Sequence, residues 1–583
     1  MPRLGRTVLV TGMVASVLMA GAAAPAAAAT AAKTDQTSAQ ERKRVDSVPT
    51  PRLGWYKCYD TAECTTTWLP LDYDNPKGPK TEIALLRVKA KDQKHKIGSL
   101  FLNPGGPGGS GTQIAMFAQY FLSPSLLDRF DIVGFDPRGV ASSTNVKCFK
   151  TVKDQTVVLN NMNVAFPWGK AEEQKYVGAA KQLGKACSST GKPLSGSMST
   201  AEVVRDMDVL RRAVGDKKLS YLGFSYGTAI GQYYANMFPD RFRAIVVDGV
   251  LDPSHWVGTK ATANQEQDQR LRSADGAYRA LQEILKRCDA AGEKYCAFAA
   301  GDPVANFDTI AQKLRQKPLV VTDESGSYTI TYADFVGGIL GDLYDVGAGD
   351  WVTQDSQFVW TLLNPASQAA ARAKAKTGLI ARIKQARAKK PARDFPYDNG
   401  FETFLGVDCT DALHPQDAGQ WPALMVKADK RAPYFGRAWG WSTVPCARNT
   451  WTVRDEDAYT GPWNRKTAAP VLIVGTQWDP ATNYDDAVSA SKLLPNSRLL
   501  SNTNWGHTSY GTSDCATNAI DNYLLKGTLP AKGTLCQGAY QPFLEPLPTD
   551  SALSASKRQA TAAQDHRAPV AGPPMPSTLN GTR

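Results

Sequence analysis

The chain has 583 residues, 42% of them hydrophobic and 13 of them tryptophan, enough for one large decorated domain or two to three smaller ones. A mean hydropathy of −0.33, with no internal apolar run of about 18 residues, excludes a polytopic membrane protein. The formal charge of +12 is spread along the sequence, which excludes the concentrated basic face that nucleic acid requires.

In chain order, residues 1–29 predict a secretory signal and hence a secreted, extracellular protein with no stable membrane association. Arg3 and Arg6 form the basic start, residues 8–19 the apolar core, and small residues follow through Ala29. Residues 30–50 are polar and rich in Ala, Thr, Gln and Lys, and read as a pro-segment or linker. Residues 51–255 are expected to form the first part of an α/β core. Strands are predicted over 82–89, 98–102 and 130–135. A capping box at Ser199-Thr200-Ala201-Glu202 opens a helix with Val203, Met207, Leu210 and Val214 on one face. A strand over 218–222, a helix over 228–237 and a strand over 244–250 come next. Such alternation implies a mostly parallel sheet.

Between 256 and 450 polar helices rich in Gln, Arg and Ala dominate, and this stretch reads as a helical cap. The sheet pattern resumes at 471–475 and 498–501, inside a second core segment, 451–547. Residues 548–583 are rich in Ala, Pro and Ser and read as a disordered tail. The fold expected is therefore an α/β-hydrolase core with a cap inserted before the strand that carries the catalytic acid.

All ten cysteines lie beyond the signal, and an even count in an exported chain predicts disulfides. Short loops close most easily, so sequential pairs are expected: Cys58–Cys64, Cys148–Cys187, Cys288–Cys296, Cys409–Cys446 and Cys515–Cys536. No C-x-x-C spacing or histidine cluster points to a metal.

The chemistry is written in Gly223-Phe224-Ser225-Tyr226-Gly227, a G-x-S-x-G run between a strand and a helix. In that context the serine sits on a sharp turn that lifts its Oγ above the sheet, and its neighbours two residues away must be small. A serine hydroxyl needs a base, and the base needs an orienting acid. Of five histidines, His566 lies in the tail, His95 in a charged stretch before the elbow, His255 just after the strand over 244–250, and His414 in the insertion. His507, next to Gly506 after the last strand, is the base expected. Asp479 comes after the 471–475 strand and completes the order Ser…Asp…His, ahead of the rival acids Asp248 and Asp252. Asp136 is expected to shape its own turn with Arg138 as a nearby partner. Oxyanion donors are expected from the N–H of Tyr226 and from the glycine loop 105–109, at Gly106 or, second, Gly105. No metal or organic cofactor is needed.

These motifs carry a resemblance. Asn103-Pro104-Gly105-Gly106-Pro107-Gly108-Gly109-Ser110-Gly111, Asp136-Pro137-Arg138-Gly139, Gly223 to Thr228 and the Asp479/His507 pair resemble the secreted tripeptidyl aminopeptidases of actinobacteria, α/β-hydrolases related to proline iminopeptidases. Pro104 stands where iminopeptidases carry a histidine, which suits the tripeptidyl branch. The resemblance covers about residues 50–545 and implies a peptide substrate held by its free amino group. It also implies that carboxylates of the cap bind that group, with Glu266, Glu402, Asp408 and Asp411 as candidates. A secreted carboxylesterase with the same triad, an iminopeptidase-like enzyme releasing single residues, and an inactive hydrolase fold used for binding are the alternatives.

Overall fold

The computed structural model describes residues 34–388 and 397–547, so the expected signal and the expected tail lie outside the described residues. Residues 34–547 belong to one compact unit. Twelve strands are present among the described residues: β1 (Tyr56–Cys58), β2 (Ala62–Pro70), β3 (Lys80–Val88), β4 (Gly98–Asn103), β5 (Phe130–Phe135), β6 (Leu219–Phe224), β7 (Phe242–Asp248), β8 (Leu319–Asp323), β9 (Gly326–Ile330), β10 (Val471–Trp478), β11 (Ser497–Trp505) and β12 (Leu535–Cys536). Ten of them form one sheet in the order β1-β2-β3-β5-β4-β6-β7-β10-β11-β12. Pairing is antiparallel from β1 to β5 and parallel from β5 onward.

The parallel strands read as unbroken apolar runs because helices cover both sheet faces. Every residue of β5 and β6 is buried, and the side chains of the central strands divide between two hydrophobic clusters. Register aligns Asn103 with Gly223, and Phe224 and Val474 with Asp248, so the carboxyl ends of β4, β6, β7 and β10 meet at one edge of the sheet. Loops at that edge are where open α/β sheets place their ligands.

Four helices bear on the site and its surroundings: α1 (Ala39–Asp46), α2 (Thr200–Ala213), α3 (Gly227–Met237) and α4 (Tyr332–Leu343). Helix α1 lies within the stretch read as a pro-segment or linker. Ser38 caps it, Val45 is fully buried, and Glu41 accepts from Arg205 Nε and Nη2 at 2.9 Å each. The segment is held by buried ion pairs rather than by an apolar stripe, so hydrophobic periodicity carries no trace of it. The capping box before α2 is half formed. Ser199 Oγ accepts the Glu202 N–H at 3.2 Å, but the Glu202 carboxylate turns to Arg138 and Arg205.

Between β7 and β10 lie helices, as expected, and one antiparallel hairpin, β8–β9, which was not. Val320, Val321, Thr322, Tyr328, Thr329 and Ile330 supply the β-branched and aromatic residues that favour strands. All five disulfides join sequential cysteines as expected. No helix among the described residues is long and apolar enough to cross a membrane.

Candidate active site

Ser225 lies directly after β6 and opens α3 with φ +56°, a left-handed conformation that a non-glycine residue adopts only when its surroundings enforce it. The enforcement is visible. Its N–H donates to Asp248 O at 3.0 Å, and Thr228 Oγ1 donates to its carbonyl at 2.6 Å. A Cβ on Gly223 would lie 2.4 Å from Gly227 O, and one on Gly227 would lie 2.9 Å from Asn103 O. Only glycine fits at either place.

Asp479 sits just beyond β10 and His507 just beyond β11. His507 Nδ1 lies 2.8 Å from Asp479 Oδ2. The carboxylate is fixed by the Ala481 and Thr482 amides on Oδ1, at 2.8 Å each, and by Thr482 Oγ1 on Oδ2, at 2.8 Å. With Nδ1 turned to the acid, Nε2 is left to exchange a proton, and it is buried with no hydrogen-bond partner among the described residues. The ring packs edge-on against Tyr344, 5.4 Å between centroids, and Tyr344 O accepts the His507 N–H at 3.1 Å. Tyr344 belongs to the inserted region. Nothing in its local sequence distinguishes it from a core aromatic.

The rival acids have other work. Asp248 accepts the amides of Ser509 (3.0 Å) and Tyr510 (2.8 Å), which anchors the turn after His507. Burial pushes its carboxyl up to about 6. Asp252 caps a helix start, accepting the Ser254 amide at 2.7 Å and its hydroxyl at 2.6 Å. Among the other histidines, His255 pairs with Asp486 at 2.8 Å, His95 with Asp92 at 2.7 Å, and burial drives His414 well below its usual range. Asp136 shapes its turn through Ser110, Thr112 and Ser142. Arg138 is not its partner: the guanidinium pairs with Asp206 at 2.7 Å and Glu202 at 2.8 Å.

The glycine loop presses on the elbow. A Cβ on Gly105 would lie 2.5 Å from Phe224 O, 2.8 Å from Ser225 Cβ and 2.9 Å from Tyr226 N. The Gly105 N–H is already given to Asn103 Oδ1 at 2.8 Å. The amides of Gly106 and Tyr226 have no hydrogen bond among the described residues, so this pair is the better donor set. The Tyr226 side chain is buried, with its hydroxyl 2.6 Å from Thr200 Oγ1 and its ring 5.4 Å from that of Trp256.

All four candidate carboxylates are buried, and burial raises each, Glu266 furthest, to about 8. Asp411 is fully engaged by the Thr200 amide and hydroxyl and by Trp256 Nε1. Glu402 accepts from Tyr397 Oη at 2.7 Å, Gln155 Nε2 at 3.1 Å and the Cys148 amide at 3.0 Å. Asp408 accepts from Gln267 and faces His414 Nε2 at 3.6 Å. Glu266 uses Oε2 for the Asp268 amide at 2.7 Å, while its Oε1 has no partner among the described residues.

Fold and site together define a serine hydrolase on the α/β-hydrolase fold. Comparison with known proteins agrees. Residues 98–283 match the family model described as alpha/beta hydrolase fold, and residues 432–536 the one described as TAP-like protein. The tripeptidyl aminopeptidase of Streptomyces coelicolor is 29% identical over 81% of this chain and 83% of its own. The serine protease Hip1 of Mycobacterium tuberculosis is 30% identical over 83% of this chain and 92% of its own. The carboxylesterase B of the same organism is 28% identical over 84% and 91%. The chain belongs to this TAP-like family of α/β-hydrolases.

Proposed function

We propose that the protein is a secreted serine exopeptidase that releases tripeptides from free amino termini. The observation that carries the reading is the Asp479–His507 dyad, formed at the same end of the parallel sheet as the strained Ser225 turn. Ser225 Oγ attacks the scissile carbonyl carbon while His507 Nε2 takes its proton. Asp479 holds the tautomer and balances the imidazolium. The amides of Tyr226 and Gly106 receive the oxyanion. His507 then protonates the leaving amine, and water hydrolyses the acyl-enzyme.

The names of the relatives, tripeptidyl aminopeptidase and serine protease, support a peptide substrate. Five disulfides and the basic-then-apolar start of the sequence support export. Glu266 is the candidate best suited to a substrate ammonium, because it keeps an oxygen unpartnered.

The test is incubation of the mature protein with free peptides of graded length and identification of the fragments by mass. Amino-terminal tripeptides are expected; single residues would point to an iminopeptidase-like enzyme. The carboxylesterase relative favours a second reading, esterolysis with the same triad. Equal turnover of peptides with blocked and free amino ends would remove the exopeptidase reading, and ester cleavage without peptide cleavage would establish the second.

A further inference from the structure

His507 stands between two residues in left-handed conformations, Gly506 at φ +83° and Thr508 at φ +71°. A turn wound this tightly holds only when its surroundings enforce it. Beyond the histidine the enforcement comes from the core, where Asp248 accepts the amides of Ser509 and Tyr510. Ahead of the histidine it comes from the inserted region. Tyr344 O accepts the His507 N–H at 3.1 Å. A Cβ on Gly506 would lie 2.8 Å from that same oxygen and 2.9 Å from the carbonyl carbon of Asp345. Backbone is pressed against backbone there, and only glycine permits it.

The carbonyl is available because of where Tyr344 sits. It is the first residue after α4, and the last carbonyls of a helix have no partner within it. Its place is fixed locally. The Tyr344 N–H donates to Gly341 O and the Asp345 N–H to Asp342 O, each at 3.2 Å. Asp345 Oδ1 accepts the Gly347 N–H at 2.7 Å. Val336, Ile339, Leu340 and Leu343 bury the helix that leads into the turn.

The Tyr344 side chain bounds the imidazole itself, with 5.4 Å between ring centroids and 72° between planes. The second side-chain torsion of a histidine is broad and soft, so contact with Asp479 alone leaves the ring plane loosely set, and a packed wall sets it. The Tyr344 hydroxyl is buried with no hydrogen-bond partner among the described residues. Burial, and next the Asp479 charge, hold it well above the usual tyrosine range, so it stays neutral. What the side chain offers His507 is therefore a flat ring, not a proton or a hydrogen bond.

We propose that Tyr344 is a positioning residue of the catalytic base: its carbonyl fixes the turn that carries His507, and its ring keeps the imidazole in the plane that serves both Asp479 and Ser225. The inserted region then completes the triad. The inference rests on His507 as the base and on no particular substrate.

The experiment uses the full mature chain and a fluorophosphonate, whose labelling of Ser225 reads activation of the hydroxyl whatever the substrate, with the rate followed by intact mass. Tyr344→Leu keeps apolar bulk and loses the flat ring, and Tyr344→Ala loses both. Labelling is expected to slow about tenfold in the first and about 100-fold in the second, the scale of a small misplacement of a reacting group. The fall should lie in the maximal labelling rate rather than in the reagent concentration that gives half of it. Tyr344→Phe should restore the wild-type rate and melt no lower, since it removes a buried hydroxyl that has no partner. A merely structural role would not move the downfield proton NMR signal of the His507 Nδ1–H bonded to Asp479, identified by its loss in His507→Gln. That signal should persist in Tyr344→Phe and weaken in Tyr344→Leu. Wild-type labelling rates in Tyr344→Leu and Tyr344→Ala overturn the proposal. So does a Tyr344→Phe variant as slow as Tyr344→Leu, which would make the hydroxyl the working group. His507→Gln separates the two failures. If it labels at the wild-type rate, His507 is not the base and the triad falls together with the role of Tyr344. If it labels slowly and the Tyr344 variants do not, the role of Tyr344 falls alone.

Discussion

The main-chain carbonyl of Asp248 accepts the Ser225 N–H at 3.0 Å, while the Asp248 carboxylate holds the amides of Ser509 and Tyr510. One residue at the end of β7 therefore fixes both the serine turn and the turn beyond the histidine. Gly249 completes the contact: a Cβ there would lie 3.1 Å from His507 Cε1. Asp248→Asn keeps one acceptor oxygen and replaces the other with a donor facing an amide. We expect kcat to fall about 100-fold, the usual result of a small misplacement of a reacting group, with little change in KM. Steady-state kinetics on a tripeptide anilide measure it, and an unchanged kcat would remove Asp248 from a positioning role.

Replacing the acid itself should cost more. In Asp479→Asn the amide can present its N–H to His507 Nδ1 and favour the wrong tautomer, so kcat is expected to fall about 10⁴-fold while the fold persists. Ser225→Ala should remove acylation. Labelling by a fluorophosphonate, then intact mass, separates the two: Asp479→Asn still labels slowly, whereas Ser225→Ala does not. Labelling of Ser225→Ala at wild-type rate would place the nucleophile elsewhere.

The positions of Ser225, Asp479 and His507 just beyond β6, β10 and β11 were legible in the sequence because strands announce themselves by composition. Even the end of β6 mattered: it runs on to Phe224, which puts Ser225 directly at the sheet edge. The polar parts of the structure were not legible. Helix α1 is held by Glu41, Arg44 and Arg205, and Arg138 by Glu202 and Asp206, pairings between residues far apart in sequence that no local pattern records. The four candidate carboxylates looked alike as letters. Only their partners distinguish them, since Asp411 is saturated with donors and Glu266 is not. Gly105, the second choice of donor, differs from Gly106 in a way the sequence does not record: its N–H is given to Asn103 Oδ1.

Glu266 should betray itself by pH. Burial and the Asp268 carboxylate raise its folded pKa to about 8, against 4.5 for the free group. For an acid raised in this way, the folded state holds the proton more tightly than the unfolded chain. Its stabilising contribution is complete below about 4.5 and is lost as pH rises through about 8. Glu266→Gln removes that loss. The difference in Tm between variant and wild type should therefore move in favour of the variant between pH 5 and 8 and then level off. The same variant should weaken only substrates with a free amino group, raising their KM while leaving esters unaffected. A pH-independent Tm difference, or equal KM changes for free and blocked substrates, would count against the assignment.

The segment ahead of Pro51 should matter to stability. Asp35 exchanges hydrogen bonds with Lys466, and the Thr37 amide donates to Asp240 Oδ1 at 3.0 Å. Glu41 and Asp457 sit against Arg205, which is 1% exposed, so α1 closes a buried ion-pair cluster rather than trailing from the domain. Stranding a buried charge outright costs about 3–5 kcal/mol, and Glu41→Ala takes one of three carboxylates from Arg205 while Glu202 and Asp457 stay, so it costs a part of that. Glu41→Ala should accordingly lower Tm by several degrees and raise susceptibility to proteolysis. A chain beginning at Pro51 should lose more, because it also uncovers the surface beneath Val45 and removes the carbonyls of Val45 and Val48 from Arg212. Thermal melts and limited proteolysis of the two forms beside the intact chain measure this. If the chain beginning at Pro51 melted with the intact protein, α1 would be a removable pro-segment after all.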